Sequence, residues 1–433
     1  MSAIIPLVSF LLLTIAISFQ NGSFTGNLSQ IYLILISFIL LSINYFFIKQ
    51  EQINGESRFF IILPVVIALF AVIPGGWWLN NPKIIGLIQI LSSLLIIPAV
   101  FMVVNRKISG KNIGMFFSFF LMVALILRLL MITGSPAPGI DVFAILREAP
   151  LKFLQGLNPY NTLYTHVFPG ITPDYYAYWP ASFFLQLPFV KIFNDPRYLL
   201  LSADLLAAFL ILVLGGKNRI SLILSVLYLF RPASLSITEA AWLTPLDFFL
   251  IAALVYFIYK KKNPLMAGFF LGLLTSVQFF FGIMIFHLLK YFNWNKKLIL
   301  SFIITTAIFV VPFFIIDPVR FWNQTVEVYF RNPPHPSILI HTSLNLNTLY
   351  FVFTGFDLPS LLLNAFILLF LILSIFKKTT PYRPLESFTL FLFSAFVFGR
   401  QAFINYYYLI ASLILLDLAV NMSQENNKSV NED

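Results

Sequence analysis

The chain has 433 residues, 59% of them hydrophobic and 10% charged, with a mean hydropathy of +0.90, a balance that excludes a soluble globular domain. Lysine and arginine outnumber the acids 27 to 17, for a formal net charge of +10, but they sit in short loops between apolar runs and act as topology signals, so no nucleic-acid partner is implied. With no cysteine, disulfides, thiolate catalysis and cysteine metal sites are excluded together.

Apolar runs of about 17 to 25 residues recur along the chain with the period of helices rather than barrel strands. The fold class is an all-α polytopic membrane protein, with roughly 12 to 15 spans and no separate globular domain. The first spans fall at 3–19, 31–48, 59–73, 84–104 and 115–132. The first of these has no basic residue ahead of it and no small-residue cleavage site, so it reads as a retained span. Lys49, Arg58, Arg106, Lys107 and Lys111 fall on one side, whereas the loop 20–30 is uncharged and the next loop on that side carries only Lys83. The positive-inside rule then puts the N-terminus in the cytoplasm and Gly139 outside.

The longest polar interruption follows, from Gly139 to Pro180. It holds Asp141, Arg147, Glu148, the run Gly156-Leu157-Asn158-Pro159-Tyr160, and the segment Tyr176-Ala177-Tyr178-Trp179-Pro180. Ionisable groups gathered at a membrane face mark this stretch as a place for chemistry. The next apolar segment, 183–193, is interrupted by Gln186, Pro188 and Lys191 and is short for a crossing. If it re-enters without crossing, Lys217, Arg219, Lys260 to Lys262, Lys290, Lys296, Lys297, Lys377 and Lys378 all become cytoplasmic. That topology makes Leu265 to Leu289 a hairpin of two short helices, which Gly268 and Gly272 would let pack closely. Further spans fall at 199–214, 220–231, 243–259, 298–316, 361–376, 385–398 and 403–420, and the inverted repeat of many transporters is missing. Asp204 and Arg128 lie inside spans, where an ionisable group is costly and usually paired.

Taken in order, the outer-loop Asp141, the Gly-x-Asn-Pro-Tyr run and Tyr176-x-Tyr178-x-Pro180 are followed by Asn263-Pro264-Leu265-Met266-Ala267-Gly268, Val311-Pro312-Phe313 leading to Asp317-Pro318, and Asn405-Tyr406-Tyr407-Tyr408. This set resembles the GT-C superfamily of polyprenyl-phosphate-sugar glycosyltransferases, and most closely glycosyltransferase family 87, over about two thirds of the chain. Three departures stand out. Extra spans precede the first outer loop, Gln278 stands where family members often carry lysine, and the expected Gly-Asn-x-Asp pattern reads Ala241-Trp242-Leu243-Thr244-Pro245-Leu246-Asp247. The resemblance implies a GT-C-type bundle with a catalytic outer loop carrying juxtamembrane helices. Its parts would be N-terminal helices over 1–133, a catalytic membrane core over 134–421 with outer loops 134–197, 232–246 and 317–347, and a disordered cytoplasmic tail over 422–433.

It also implies an inverting transfer, which needs a base on the acceptor hydroxyl, polar or cationic groups on the phosphate, and an apolar groove for the prenyl chain. Asp141 is the base by position; the plainer alternatives are pairing with Arg147 or capping a helix that starts after Ile140. Arg331, His335, His341 and Arg400 are the candidates for the donor phosphate, against snorkelling arginines and solvated loop histidines. Glu148, seven residues past Asp141 and so on the same helical face, is a candidate for acceptor hydroxyls or a partner for Arg147 and Lys152. Tyr160, Tyr176, Tyr178, Gln401 and Asn405 complete the candidate substrate contacts, although interfacial aromatics are expected at this depth anyway. No Asp-x-Asp pair occurs in the first outer loop, and no metal ligand or cofactor is assigned beyond the donor itself.

The chain thus reads as a membrane hexosyltransferase moving a sugar, mannose by preference, from a polyprenyl-phosphate donor to a glycolipid or glycan acceptor. Its setting would be lipid, with the active site on the outer face of a prokaryotic plasma membrane and both termini cytoplasmic. A transporter or flippase of lipid-linked glycans, and a catalytically inactive GT-C relative, are the alternatives.

Overall fold

A computed structural model describes residues 4–18, 22–48, 62–73, 76–105, 108, 110–167, 175–327, 341–377 and 382–429, the side chains of 422–429 excepted. All regular structure among these residues is helical. Among the described residues six helical stretches of 18 residues or more, with 82–104 taken as one, are long and apolar enough to cross a membrane, and nine shorter apolar helices accompany them, so the polytopic all-α class holds.

The polar residues between apolar runs act as helix starts. Asn27, Asn81, Asn263 and Asn295 each accept a backbone N–H of the following first turn, and Pro82 and Pro264 occupy the next position, where no N–H is needed. In an apolar medium an uncapped first turn would leave donors unpaired at several kcal/mol each, so the asparagines fix where the helices begin.

Contacts divide the chain into two compact units. The first comprises 1–135, 205–237 and 340–433. Its centre is α20 (Ile404–Ser429), 89% of whose apolar window is buried, so this helix is packed by protein rather than lipid. Around it stand α1 (Ile4–Ser18), α10 (Arg219–Leu229) and α19 (Pro384–Val397), and α2 (Leu28–Phe47) packs on α1 and α19. Ser9 and Ser37 bond reciprocally to each other's carbonyls across α1 and α2, at 3.4 and 3.1 Å. The helices α3 (Ile62–Val72), α4 (Pro82–Leu94), α5 (Ile96–Val104) and α6 (Lys111–Gly134) complete the unit's N-terminal part.

Three buried arginines serve this unit. Arg219 donates to Met102 O at 3.1 and 2.7 Å and to Val103 O at 2.8 Å, closing the C-terminal end of α5. Arg128, fully buried on α6, donates to Leu229 O at 3.0 Å, the last residue of α10. Arg231 lies with its guanidinium 3.4 Å from the Tyr408 ring centroid and donates to Ser412 Oγ. The last helix continues as far as Ser429, where a disordered tail from 422 is expected; Asn421 Nδ2 donates to Asp417 Oδ2 one turn back at 2.9 Å and carries the helix onward.

The second unit comprises 136–204 and 238–339. Its members include α7 (Asp141–Leu154), α8 (Ala181–Phe193), α12 (Thr244–Tyr259), α13 (Pro264–Val277), α14 (Met284–Tyr291), α15 (Lys296–Ile316) and the short α16 (Pro318–Trp322). The 13 residues of α8 give about 20 Å, short of the ~30 Å hydrocarbon thickness. The segment expected as a helical hairpin is α13, then a 3-10 turn over Phe279–Ile283, then α14. The two glycines have a different partner from the expected one. A methyl on Gly272 would stand 2.8 Å from Phe302 O and 2.7 Å from Thr305 Cβ, and Gly268 lies as closely on Leu298 and Ser301, so both serve the crossing of α13 with α15. The hairpin reading assigned the small face to the neighbour in sequence, whereas α15 offers a longer ridge.

Gly272→Ala should therefore lower stability by about 1–3 kcal/mol, through overpacking against backbone that cannot move aside. Gly114→Ala, with nothing within 4 Å, should change it by less than about 0.5 kcal/mol. Thermal unfolding of the two purified variants against the native protein checks the contrast.

Candidate functional site

The candidate base opens α7. Pro136 and Pro138 cannot extend α6, Ile140 is extended at φ −135°, and the helix starts at Asp141. As the first helical residue, its carboxylate lies where free backbone N–H groups gather, a favourable place for a negative charge. Asp141 is 8% exposed, and its Oδ2 accepts the Tyr175 hydroxyl at 2.6 Å, in the range of a short charge-assisted bond. Of the two plain alternatives, the helix start after Ile140 is found and the pairing with Arg147 is not. Arg147 Nε donates to Asn194 Oδ1 at 3.2 Å, and the cap position belongs to Ile140.

Glu148 is committed to its own loop. Its two oxygens accept Thr165 N at 3.3 and 3.2 Å, Lys152 Nζ stands 3.9 Å away, and that lysine donates to Leu163 O. The pair straps residues 162–165 to α7.

The Gly156-to-Tyr160 run is likewise a device for placing aromatics. Gly156 turns the chain at φ +78°, a conformation that favours glycine, and Asn158 Oδ1 accepts Tyr160 N at 3.0 Å to close a 3-10 turn. Tyr160 is thereby driven into a cluster with Tyr176 (5.7 Å between ring centroids), Phe313 (5.7 Å) and Phe321 (4.9 Å). Its hydroxyl donates to Tyr178 O at 2.9 Å, while the Tyr176 and Ser182 hydroxyls share a bond of 2.7 Å. Burial pushes the Tyr160, Tyr164 and Tyr176 phenols well above their ordinary value, so all three stay protonated. Tyr160 and Tyr176 hold the loop together, and half-buried Tyr178 is the one of the three candidate tyrosines with surface to offer.

The same unit joins the two positions at which the sequence departs from the family pattern. Gln278 Nε2 donates to Asp247 Oδ2 at 2.6 Å. Asp247 is 3% exposed and stands in the first turn of α12, while Gln278 ends α13. An apolar groove of about 370 Å³, lined by Phe314, Pro318, Val319 and Trp322, runs along the junction of α15 and α16.

The remaining candidates split. Arg331 and His335 lie outside the described residues. His341, Arg400, Gln401 and Asn405 belong to the first unit, where the segment 341–345 runs beside 399–402 through Leu344 N to Ala402 O at 2.7 Å and Asn345 Nδ2 to Gly399 O at 2.8 Å. His341 stacks on Phe351 at 3.5 Å, and its Nε2 meets Asp357 Oδ1 at 3.0 Å. Arg400 is exposed, and the buried atoms Gln401 Nε2 and Asn405 Oδ1 have no hydrogen-bond partner. Among the described residues no group of three or more His, Asp or Glu is placed to hold a metal ion.

Sequence reasoning missed Tyr175, the donor to Asp141, because two adjacent tyrosines carry no mark of which one turns inward. It also missed Asp357, since an acid ten residues past Asn347 has no spacing that foretells their bond, 2.7 Å from Asn347 Nδ2 to Asp357 Oδ1. That bond, helped by His341 and Arg400, holds the Asp357 carboxyl below its ordinary 3.8. A depressed folded value gives stability that is present above the ordinary value and lost as pH falls through the folded one. The melting temperature of Asp357→Asn should therefore lie slightly below that of the native protein at about pH 6 and converge on it toward about pH 3; the effect is small because the side chain is 56% exposed. Searches against protein-family models and against curated proteins give no match to this chain.

Proposed function

We propose that the protein is a membrane glycosyltransferase of GT-C type, transferring a hexose, mannose by preference, from a polyprenyl phosphate to a glycolipid or glycan hydroxyl with inversion. The observation that carries this reading is Asp141, a nearly buried carboxylate at a helix start that accepts a short hydrogen bond from Tyr175. A carboxylate in this position has the chemistry of a general base for an acceptor hydroxyl. The ordered resemblance of Asp141, the Asn158-Pro159-Tyr160 run and the later motifs supports the same assignment.

In this reaction Asp141 takes the acceptor proton as the acceptor oxygen attacks the anomeric carbon. The bond from that carbon to the phosphate oxygen breaks, and its electron pair leaves with the lipid phosphate. Tyr175 orients the carboxylate through its hydrogen bond to Oδ2. Arg331 and His335, from the same stretch of chain as the second unit, are the proposed source of charge for the phosphate. The groove along Phe314 and Trp322 gives a prenyl chain apolar surface to lie on. The loop charges favour cytoplasmic termini and an outward-facing site in a prokaryotic plasma membrane.

Purified protein given polyprenyl-phosphate mannose labelled in the sugar should move label into an acceptor lipid. Asp141→Asn should lower that rate by about 100-fold or more, and Tyr175→Phe by about tenfold, with KM little changed. Full turnover by Asp141→Asn would remove the base from the account. Donor that crosses a vesicle membrane unaltered would make the protein a transporter.

A further inference from the structure

The second unit, which also holds the candidate base, contains a polar cluster that the transfer chemistry does not use. Trp179 N donates to Val277 O at 3.0 Å, and the Trp179 ring lies over Phe279 at 6.0 Å and 27°. The indole is thus fixed to the residues on either side of Gln278, whose amide donates to Asp247. Two atoms of this cluster are sealed from solvent without a hydrogen-bond partner: Asp247 Oδ1, an acceptor, and Trp179 Nε1, a donor.

Leaving either atom unmet costs its full desolvation, the carboxylate oxygen most of all. Asp247 as a first-turn acid of α12 has a plain role in complementing the helix N-terminus, but that role leaves Oδ1 without a donor. The chemistry of the three side chains selects among ligands. A phosphate finds no cation in the cluster and meets a buried carboxylate. A hydrocarbon chain satisfies neither open atom. A sugar satisfies both: one hydroxyl donates to Asp247 Oδ1, a second accepts from Trp179 Nε1, and the C–H face of the pyranose ring has Trp179 and Phe279 to pack on.

We infer that Asp247, Gln278 and Trp179 form a subsite that binds the hydroxyl groups of a hexopyranose. Gln278 orients the carboxylate through Oδ2 and, being neutral, leaves the acceptor strength of Oδ1 for the sugar. The subsite rests on the glycosyltransferase reading for its place in the reaction. Tyr175, which holds Asp141, and Trp179 are four residues apart, so their Cα atoms are separated by at most about 15 Å. One short segment therefore carries the partner of the base and the indole of the subsite.

The test is direct binding, independent of turnover. The purified full chain in a sugar-free detergent is titrated calorimetrically with octyl mannoside, and with octyl tetraethylene glycol as the sugar-free control. Native protein should prefer the mannoside. Asp247→Asn, which keeps the shape and an oxygen for Gln278, should weaken that binding about tenfold or more, and Trp179→Phe, which keeps the ring contact and loses the N–H, about three- to tenfold. No preference for the mannoside, or equal affinity in both variants, overturns the subsite. Sugar transfer by the native protein together with equal affinities would sink the subsite and leave the enzyme reading in place. Weakened binding in both variants with no transfer from any polyprenyl-phosphate hexose would do the reverse.

Discussion

An apolar medium forgives no unpaired helix end and no unpaired charge, and most of this structure is an answer to that constraint. Asparagines at the loop edges cap first turns, and Arg219 and Arg128 close the C-terminal ends of α5 and α10. The fully buried Arg231 is spread over the Tyr408 ring and the Ser412 hydroxyl. A chain with so few charged residues spends several of them on satisfying carbonyls rather than on ion pairs. The same logic packs α13 on α15 through glycines, where close backbone approach stands in for the hydrophobic drive that lipid does not supply.

Against that background, the groups with a polar atom still to offer are informative. Glu148, Tyr160 and Tyr176 are spent on architecture, and their bonds tie Thr165 to α7, Tyr160 to Tyr178 and Tyr176 to Ser182 of α8. Asp141 is different in kind, a carboxylate at a helix start that accepts a phenol hydroxyl. Asp247 and Trp179 lie within the same unit and offer two buried atoms of opposite hydrogen-bonding sense, the carboxyl of Asp247 being steadied by the Gln278 amide. On the proposed reading, Asp141 takes the acceptor proton and the Asp247 cluster reads the sugar hydroxyls.

Much of the fold was legible because spans are written in continuous apolar runs. The helices Thr244–Tyr259 and Ser360–Phe376 begin within a residue of the run edges, since a cap or proline stands at the boundary. The partner of Gly268 and Gly272 was not legible, because small-residue spacing marks a close crossing without naming the helix across it. The candidate site was legible in part. Position and resemblance single out Asp141, but no spacing shows that Tyr175 would bond it, nor that Asp247 and Gln278, 31 residues apart, would meet. Tertiary contact at such separations is set by how helices stack, and a single sequence does not record that.

The most direct measurement is the structure of the product. Purified protein is incubated with polyprenyl-phosphate β-mannose and extracted membrane lipids, and any new glycolipid is isolated and its anomeric configuration read by nuclear magnetic resonance. A new α-mannosidic bond, formed with release of the polyprenyl phosphate, is the predicted result. A retained β configuration would contradict Asp141 as the base of a direct displacement, and donor recovered intact would contradict sugar transfer itself.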